Sequence, residues 1–263
     1  MSLQIERQLL IQALIKEYQT VKVDELARRL DVSPNTVRRD LSALEKQGTL
    51  KRIQGGAMVQ DLQPAMRQSF DLRARTNILE KELIGKYAAR LVKSGSTIIL
   101  DAGTTTQQLA NNLHHLENLT IATNSLEIAY SLKTNPNMTV ILSGGIVIGA
   151  SRSLTGLPAE NFFTHIHADQ IFLATCGISL ERGLTNRNMH EIPVKQKMIE
   201  VAREVILLAD HDKFDKVALS SFAPVSCLHK IVTDEEAPKD TIAQLEALGI
   251  QVVIAHEDAE KIR

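Results

Sequence analysis

Residues 30–48, LDVSPNTVRRDLSALEKQG, decide the reading of this 263-residue chain. Ser33 followed by Pro34 predicts a helix start, because a serine hydroxyl caps the unpaired first-turn amides and proline at the first helical position gives up no hydrogen bond. From there Val37, Leu41 and Leu44 fall at i, i+4 and i+7 and predict one inward face. Asn35, Arg39 and Ser42 are left pointing outward, flanked by Thr36 and Arg38, and Gly48 supplies a stop.

Upstream, Asp24–Leu30 (DELARRL) places Leu26, Ala27 and Leu30 on one face, with acids in the first turn and arginines in the last, as the helix dipole favours. Asp31, Val32 and Ser33 form the turn between these helices. Thr20–Val23 alternates and is β-branched, which predicts a short strand, and Ile5, Leu9, Leu10, Ala13 and Leu14 predict a first amphipathic helix. Downstream, Thr49–Met58 (TLKRIQGGAM) reads as a two-stranded wing whose paired glycines permit the turn.

Two helices joined by a short turn, the second presenting Asn, Arg and Ser, have the geometry of a helix that enters the major groove of double-stranded DNA. Arginine can bond guanine and asparagine adenine in bidentate fashion, while Ser33 and Thr36 suit phosphates and Lys51 and Arg52 add charge. The candidate DNA-binding set is therefore Ser33, Asn35, Thr36, Arg38, Arg39, Ser42, Lys51 and Arg52. A solvated helix in a plain three-helix bundle is the competing reading. Cap, turn length, polar face and basic wing together favour DNA.

Charge distribution agrees. Residues 1–60 hold ten Lys or Arg against seven acids, +3, within a chain whose net charge is −1, so the remainder carries −4. A basic module on a mildly acidic body is what a protein needs when one end meets phosphates. The composition, 44% apolar and 23% charged, fits a globular chain, and no run approaches the about 18 apolar residues of a membrane helix. A cytoplasmic location and no membrane contact are expected. Cys176 and Cys227 stand far apart in apolar surroundings and are expected in the core. His165 and His167 have no cysteine nearby, so neither a metal nor a cofactor is expected.

Between Val59 and Asn77 no period is sustained and Pro64 intervenes, so the expected division is a winged helix-turn-helix domain over 1–58, a linker over 59–77 and a larger domain over 78–263. Leu79, Leu83, Ile84, Tyr87, Ala88 and Leu91 predict a helix opening the larger domain. Apolar runs then alternate with helical stretches: TIIL at 97–100, LTIAT at 119–123, MTVIL at 138–142 and QIFLATC at 170–176. EVILLAD ending at Asp210, KIVTD ending at Asp234 and QVVIA ending at Ala255 follow, with helices expected within 189–202 and 241–248. Strands apolar on both faces predict an α/β domain with a mostly parallel sheet covered on both sides.

Such sheets bind ligands beyond the carboxyl ends of their strands. Asp101-Ala102-Gly103-Thr104-Thr105-Thr106 follows TIIL and opens a helix, gathering amides and three hydroxyls in a way that suits phosphate. A glycine turn with threonine caps explains the same residues without a ligand. Asn124 after the next strand, Gly144 in a glycine pair, Arg152 on the following loop, then Glu191, Lys195 and Lys213 are further candidates. Capping, solvated charge and turn formation are their plainer roles.

The N-terminal segment LARRLDVSPNTVRRDLSALEKQGTLKRIQGGAMV resembles the winged helix-turn-helix of the DeoR family of sugar-responsive transcription regulators. LDAGTTTQQLA, ATNSLEIA, LSGGIV, FLATCGIS, REVILLADHDKFDK and IVTDEE are similar to segments of that family's effector domain. Gln54 stands where many members carry histidine before the wing glycines, and Ser179 where many carry aspartate. The resemblance implies a larger domain with a fold like that of ribose-5-phosphate isomerase and coenzyme A transferases. It also implies a phosphorylated sugar or derivative as effector at the Asp101–Thr106 loop, repression of a carbohydrate catabolic operon, and a homodimer or homotetramer. The alternative is a sugar-phosphate isomerase with an appended helical domain. Against catalysis, FLATCGIS is followed by no acid before Glu181, where isomerases of this fold place carboxylates.

Overall fold

The computed structural model describes residues 4–18, 20–46, 50–53, 55–59, 69–133 and 135–256. The chain divides into two compact units, Met1–Arg67 and Gln68–Arg263.

The first unit contains helix α1 (Gln4–Tyr18), strand β1 (Thr20–Lys22), helices α2 (Val23–Leu30) and α3 (Pro34–Lys46), and strands β2 (Leu50–Ile53) and β3 (Gly56–Val59). β2 and β3 form the expected wing, and β1 pairs antiparallel with β3 to complete a three-stranded sheet. Gly55 turns between them at φ +81°, a conformation that costs glycine little. Gly48, Thr49 and Gln54 lie outside the described residues. Val37, Leu41 and Leu44 of α3 are buried against Leu26 and Ala27 of α2, as their spacing predicts.

In α1 the expected face is only partly right. Leu9, Leu10 and Ala13 are exposed, while Leu14 packs half-buried against the core and Ile11 and Ile15 are buried beside it. LLIQALI offers apolar residues on more than one side of a helix, so its periodicity permits two faces. Arg7 settles which one turns inward: one helical turn before Ile11, it pairs with Asp40 of α3, Nε to Oδ2 at 2.5 Å. Asp40 is itself buried between Val37 and Leu44 and also accepts from Gln8 Nε2 at 3.3 Å.

The second unit begins with α4 (Phe70–Arg75) and α5 (Ile78–Ala89), then β4 (Thr97–Leu100), α6 (Thr104–Asn111), β5 (Leu119–Thr123), α7 (Leu126–Leu132) and β6 (Met138–Leu142). A hairpin of β7 (Ile146–Ile148) and β8 (Ser153–Thr155) leads to α8 (Leu157–Thr164), β9 (Ala168–Leu173), β10 (Gly177–Ser179) and β11 (Gly183–Asn186). The chain continues through α9 (Ile192–Glu200), β12 (Ala202–Leu208), β13 (Ser220–Ala223), β14 (Lys230–Thr233), α10 (Lys239–Ala247) and β15 (Gln251–Ile254).

Seven of these strands make one parallel sheet in the order β15-β14-β12-β9-β4-β5-β6, and they are the seven apolar runs of the sequence. Alternate residues feed two cores. Ile99, Ile171, Leu207 and Ile231 pack on one face, and Ile98, Leu100, Phe172, Ile206 and Val232 on the other. The short strands β10, β11 and β13 form a separate antiparallel sheet that the sequence pattern did not predict. They are three or four residues long, too short for a period to register.

Two further expectations need correction. The stretch 59–77, read as an irregular linker, contains α4, which buries Phe70 and is capped by Ser69 Oγ accepting from Leu72 N at 3.4 Å. A helix of six residues shows too little repeat to be seen in sequence. Residues 60–68, with Pro64, lie outside the described residues. In α5, Leu79 of the expected stripe is exposed, whereas Ile84 and Ala88 are buried and Leu83, Tyr87 and, just past the helix, Leu91 pack against the same core as expected; Lys81, Gly85 and Ala89 join that buried face.

The strand order reverses between β4 and β9: the chain runs outward from β4 through β5 to β6, and from β9 through β12 and β14 to β15. Carboxyl ends of strands flanking such a reversal open a crevice.

Candidate functional site

The outward face of α3 is built as its spacing requires. Ser33 Oγ accepts from Thr36 N at 3.2 Å, and Asp31, at φ +51°, reverses the chain between α2 and α3. Asn35, Arg38 and Arg39 are exposed, and Thr36 and Ser42 half-buried. Arg38 Nη1 donates to Asn35 Oδ1 at 2.8 Å, and Ser42 Oγ donates to the Arg38 carbonyl at 2.8 Å. The wing is tied to this helix: Arg52 Nη1 donates to Ser42 Oγ at 2.9 Å, and Arg52 N to Glu45 Oε1 at 2.8 Å. Arg39 and Lys51 make no side-chain hydrogen bond or ion pair among the described residues, so their charges are free to meet an incoming partner. Arg52 has to leave Ser42 before it can do so.

In the second unit a cleft of about 80 Å³ opens over the carboxyl ends of β4, β9 and β12. Of the expected ligand residues, Gly103, Thr104, Thr105 and Lys213 line it. Gly103 must be glycine for a steric reason: a Cβ there would stand 2.5 Å from the Ala174 Cβ. Thr104 and Thr105 open α6, whose first amides have no partner within the helix.

The other expected residues hold the frame. Asp101 is fully buried, accepting from Ala174 N at 2.9 Å and from the Lys195 ammonium, so it links β4, β9 and α9. Burial pushes the Asp101 carboxyl above the ordinary carboxylate range, with Lys195 opposing. Thr106 Oγ1 donates to the Asp101 carbonyl at 2.7 Å. Asn124 Oδ1 accepts from Ala102 N at 2.9 Å and supports the loop from the neighbouring strand. Glu191 is buried and accepts from Ser151 at 2.5 Å, Ser153 at 3.0 Å and Asn186 at 2.6 Å.

Arg152 does not line the cleft. It bonds Asp71 at 2.6 Å and Glu127 at 2.7 Å, and lies over the Phe70 ring at 5.1 Å. Gly144 lies in the exposed turn between β6 and β7, at φ +71°. Lys213 reaches Asp210 at 3.1 Å from its place on the wall.

Several lining residues were not read from the sequence: Arg73, Thr76, Lys81, Cys176, Arg187 and Lys216. Lys81 was legible in principle, as a lysine three residues before Ile84 on a buried stripe. Its Nζ donates to the Arg73 carbonyl at 2.6 Å and to that of Thr76, and Asp210 Oδ2 is 3.8 Å away. Burial lowers this ammonium to about 8, with Asp210 opposing. Cys176, expected in the core, is half-buried, and its Sγ lies 2.9 Å from Asn186 Oδ1. Cys227 is half-buried too, and burial raises its thiol to about 11.

A DeoR-like helix-turn-helix domain matches residues 7–63, and the DeoR C terminal sensor domain matches residues 76–235. The chain belongs to the DeoR family. This DeoR-family chain is 39% identical to the HTH-type transcriptional regulator GolR of Listeria innocua, over 95% of its length and 98% of that protein's. It is 34% identical to the regulator IolR of Bacillus subtilis, over 84% and 87%, and 31% identical to the repressor GlcR of the same species, over 98% and 99%. These relatives are named as regulators of transcription, not as enzymes. Ribose 5-phosphate isomerase a of Methanocaldococcus jannaschii overlaps 53% of this chain and 55% of its own, with a TM-score of 0.40 and 16% identity. The DeoR-family chain is a DNA-binding transcriptional regulator with a C-terminal sensor domain.

Proposed function

We propose that this regulator represses a carbohydrate catabolic operon by holding operator DNA with α3 and the wing, and releases it when a phosphorylated sugar or derivative occupies the cleft. The observation that carries the effector assignment is charge. Arg73, Lys81, Arg187, Lys213 and Lys216 line the cleft, against Asp212 as the one acid among its described lining residues. Beside them stand Thr104 and Thr105 at the opening of α6, where helix amides favour an anion. In this reading residues 1–58 read DNA, 59–77 connect, and 78–263 sense the effector and join copies into a homodimer or homotetramer. Two recognition helices then reach successive major grooves. The protein works in the cytoplasm, where its DNA lies.

A thermal-shift screen of phosphorylated sugars against the matching free sugars tests this. A phosphorylated compound should raise the melting temperature in proportion to the logarithm of its concentration above Kd, and Thr104→Ala should weaken that rise. Equal shifts from free and phosphorylated sugars contradict the assignment.

A further inference from the structure

Arg73 presents a charge with no acid paired to it among the described residues, although Glu191 and Asp101 stand near enough to attract it. Its side chain is half-buried on the cleft wall, and that burial pulls the guanidinium below its ordinary value. Yet among the described residues it makes no side-chain hydrogen bond or ion pair, and its guanidinium lies over the Phe70 ring, 6.0 Å from the ring centre. The nearby acids are already engaged, Asp101 by Lys195 and Glu191 by Ser151, Ser153 and Asn186. A half-buried guanidinium on a cleft wall, with no protein group accepting from its donors, is placed to take a partner that enters the cleft. Its planar fork matches the paired oxygens of a phosphate.

The helix that carries it has a second link to the cleft. Lys81, also on the cleft wall, donates to the carbonyls of Arg73 and Thr76 and so clamps the end of α4. At its other end α4 is held by Phe70 N donating to the Ala150 carbonyl at 2.9 Å and by the Asp71–Arg152 pair. An anion in the cleft attracts the Arg73 guanidinium and competes for the Lys81 ammonium that fastens α4. In sequence, α4 is the first described element after the residues that join the two units.

Resting on the effector reading above, we propose that Arg73 is an anion-binding residue of the cleft, and that α4 is the element of the sensor whose attachment the anion changes. An effector thereby acts on the helix from which the chain leads back to the DNA-reading unit.

Isothermal titration of the full-length chain with inorganic phosphate, paired with hydrogen exchange over residues 70–76, tests this. Arg73→Ala should weaken phosphate binding at least about tenfold, and Arg73→Lys, which keeps the charge and the stem but not the fork, should fall between. Phosphate should alter exchange over 70–76 in the unmodified chain and not in Arg73→Ala. The melting temperature of each variant without phosphate reports its folding, and the lysine variant carries the test if the alanine variant fails to fold. Binding that is lost in Thr104→Ala but unchanged in both Arg73 variants overturns the Arg73 assignment and leaves the phosphorylated-sugar reading standing. Exchange over 70–76 that ignores bound phosphate overturns the role of α4. No saturable phosphate binding by the unmodified chain overturns both readings.

Discussion

The polar side chains of α3 and the wing surround an apolar core, whereas those at the carboxyl ends of the sheet are themselves part of a core. Asn35, Arg38 and Arg39 stand in water over Val37, Leu41 and Leu44, while Asp101, Thr106, Asn124, Glu191 and Lys195 are buried and bonded to one another's loops. Exposed groups on a rigid helix can be exchanged without disturbing the fold. Buried ones cannot, because each is another's hydrogen-bond partner. Under the proposed reading, the two units separate a readily altered DNA-reading surface from a sensing site whose frame is fixed.

The largest expected effect that would break this contrast is at the Asp101–Lys195 pair. Lys195→Met leaves a buried carboxylate without its cation and should cost about 3–5 kcal/mol by denaturant melting. The double variant Asp101→Asn with Lys195→Met should lose less than the two single losses combined. A single-variant loss near zero would mean that the strand ends are as tolerant as the surface of α3.

Next comes Arg39→Ala, which should leave melting unchanged but cost about 1–3 kcal/mol of discrimination between the preferred and a scrambled duplex. Lys51→Ala should instead weaken all sequences alike and reduce the salt slope by about one. Ser33→Ala removes the cap that bonds Thr36 N and should cost about 1 kcal/mol in the N-terminal unit.

The smallest effect is a slope with pH. Lys81 titrates near 8 when folded and near 10.5 when exposed, with Asp210, Asp212, Lys213 and Arg73 as its charged neighbours. Between those values the unfolded chain holds the extra proton, so this residue makes ligand-free stability rise with pH across the window. Phosphate affinity should fall over the same window as the ammonium is lost. Lys81→Met, with no proton to lose, should flatten both trends.

Most of the frame was readable because its signals are long-range regularities. The seven apolar runs became the seven parallel strands, and the Ser33-Pro34 cap marked α3. The cleft was read only in part. Gly103, Thr104, Thr105 and Lys213 follow strands directly, where strand-end logic finds them. Arg73 and Lys81 come from helices that precede the sheet, beyond the reach of strand-end logic; Lys81 could be read from its place on the stripe of Ile84, but nothing local marks Arg73. Arg152 illustrates the converse: an arginine on a glycine-flanked loop looks available, yet Asp71 and Glu127, 81 and 25 residues away, have claimed it. The rotation of α1 was hidden for the same reason, since it depends on Arg7 meeting Asp40 across 33 residues.

The central claim is that α3 and the wing read DNA sequence. Its most direct test is fluorescence anisotropy of the full-length chain on a duplex that it selects from a random pool, against a scrambled duplex, at several salt concentrations. Log affinity should fall linearly with log salt, and the selected duplex should bind at least about 10³-fold more tightly at physiological salt. Weak binding that is equal for both duplexes and independent of salt would contradict it.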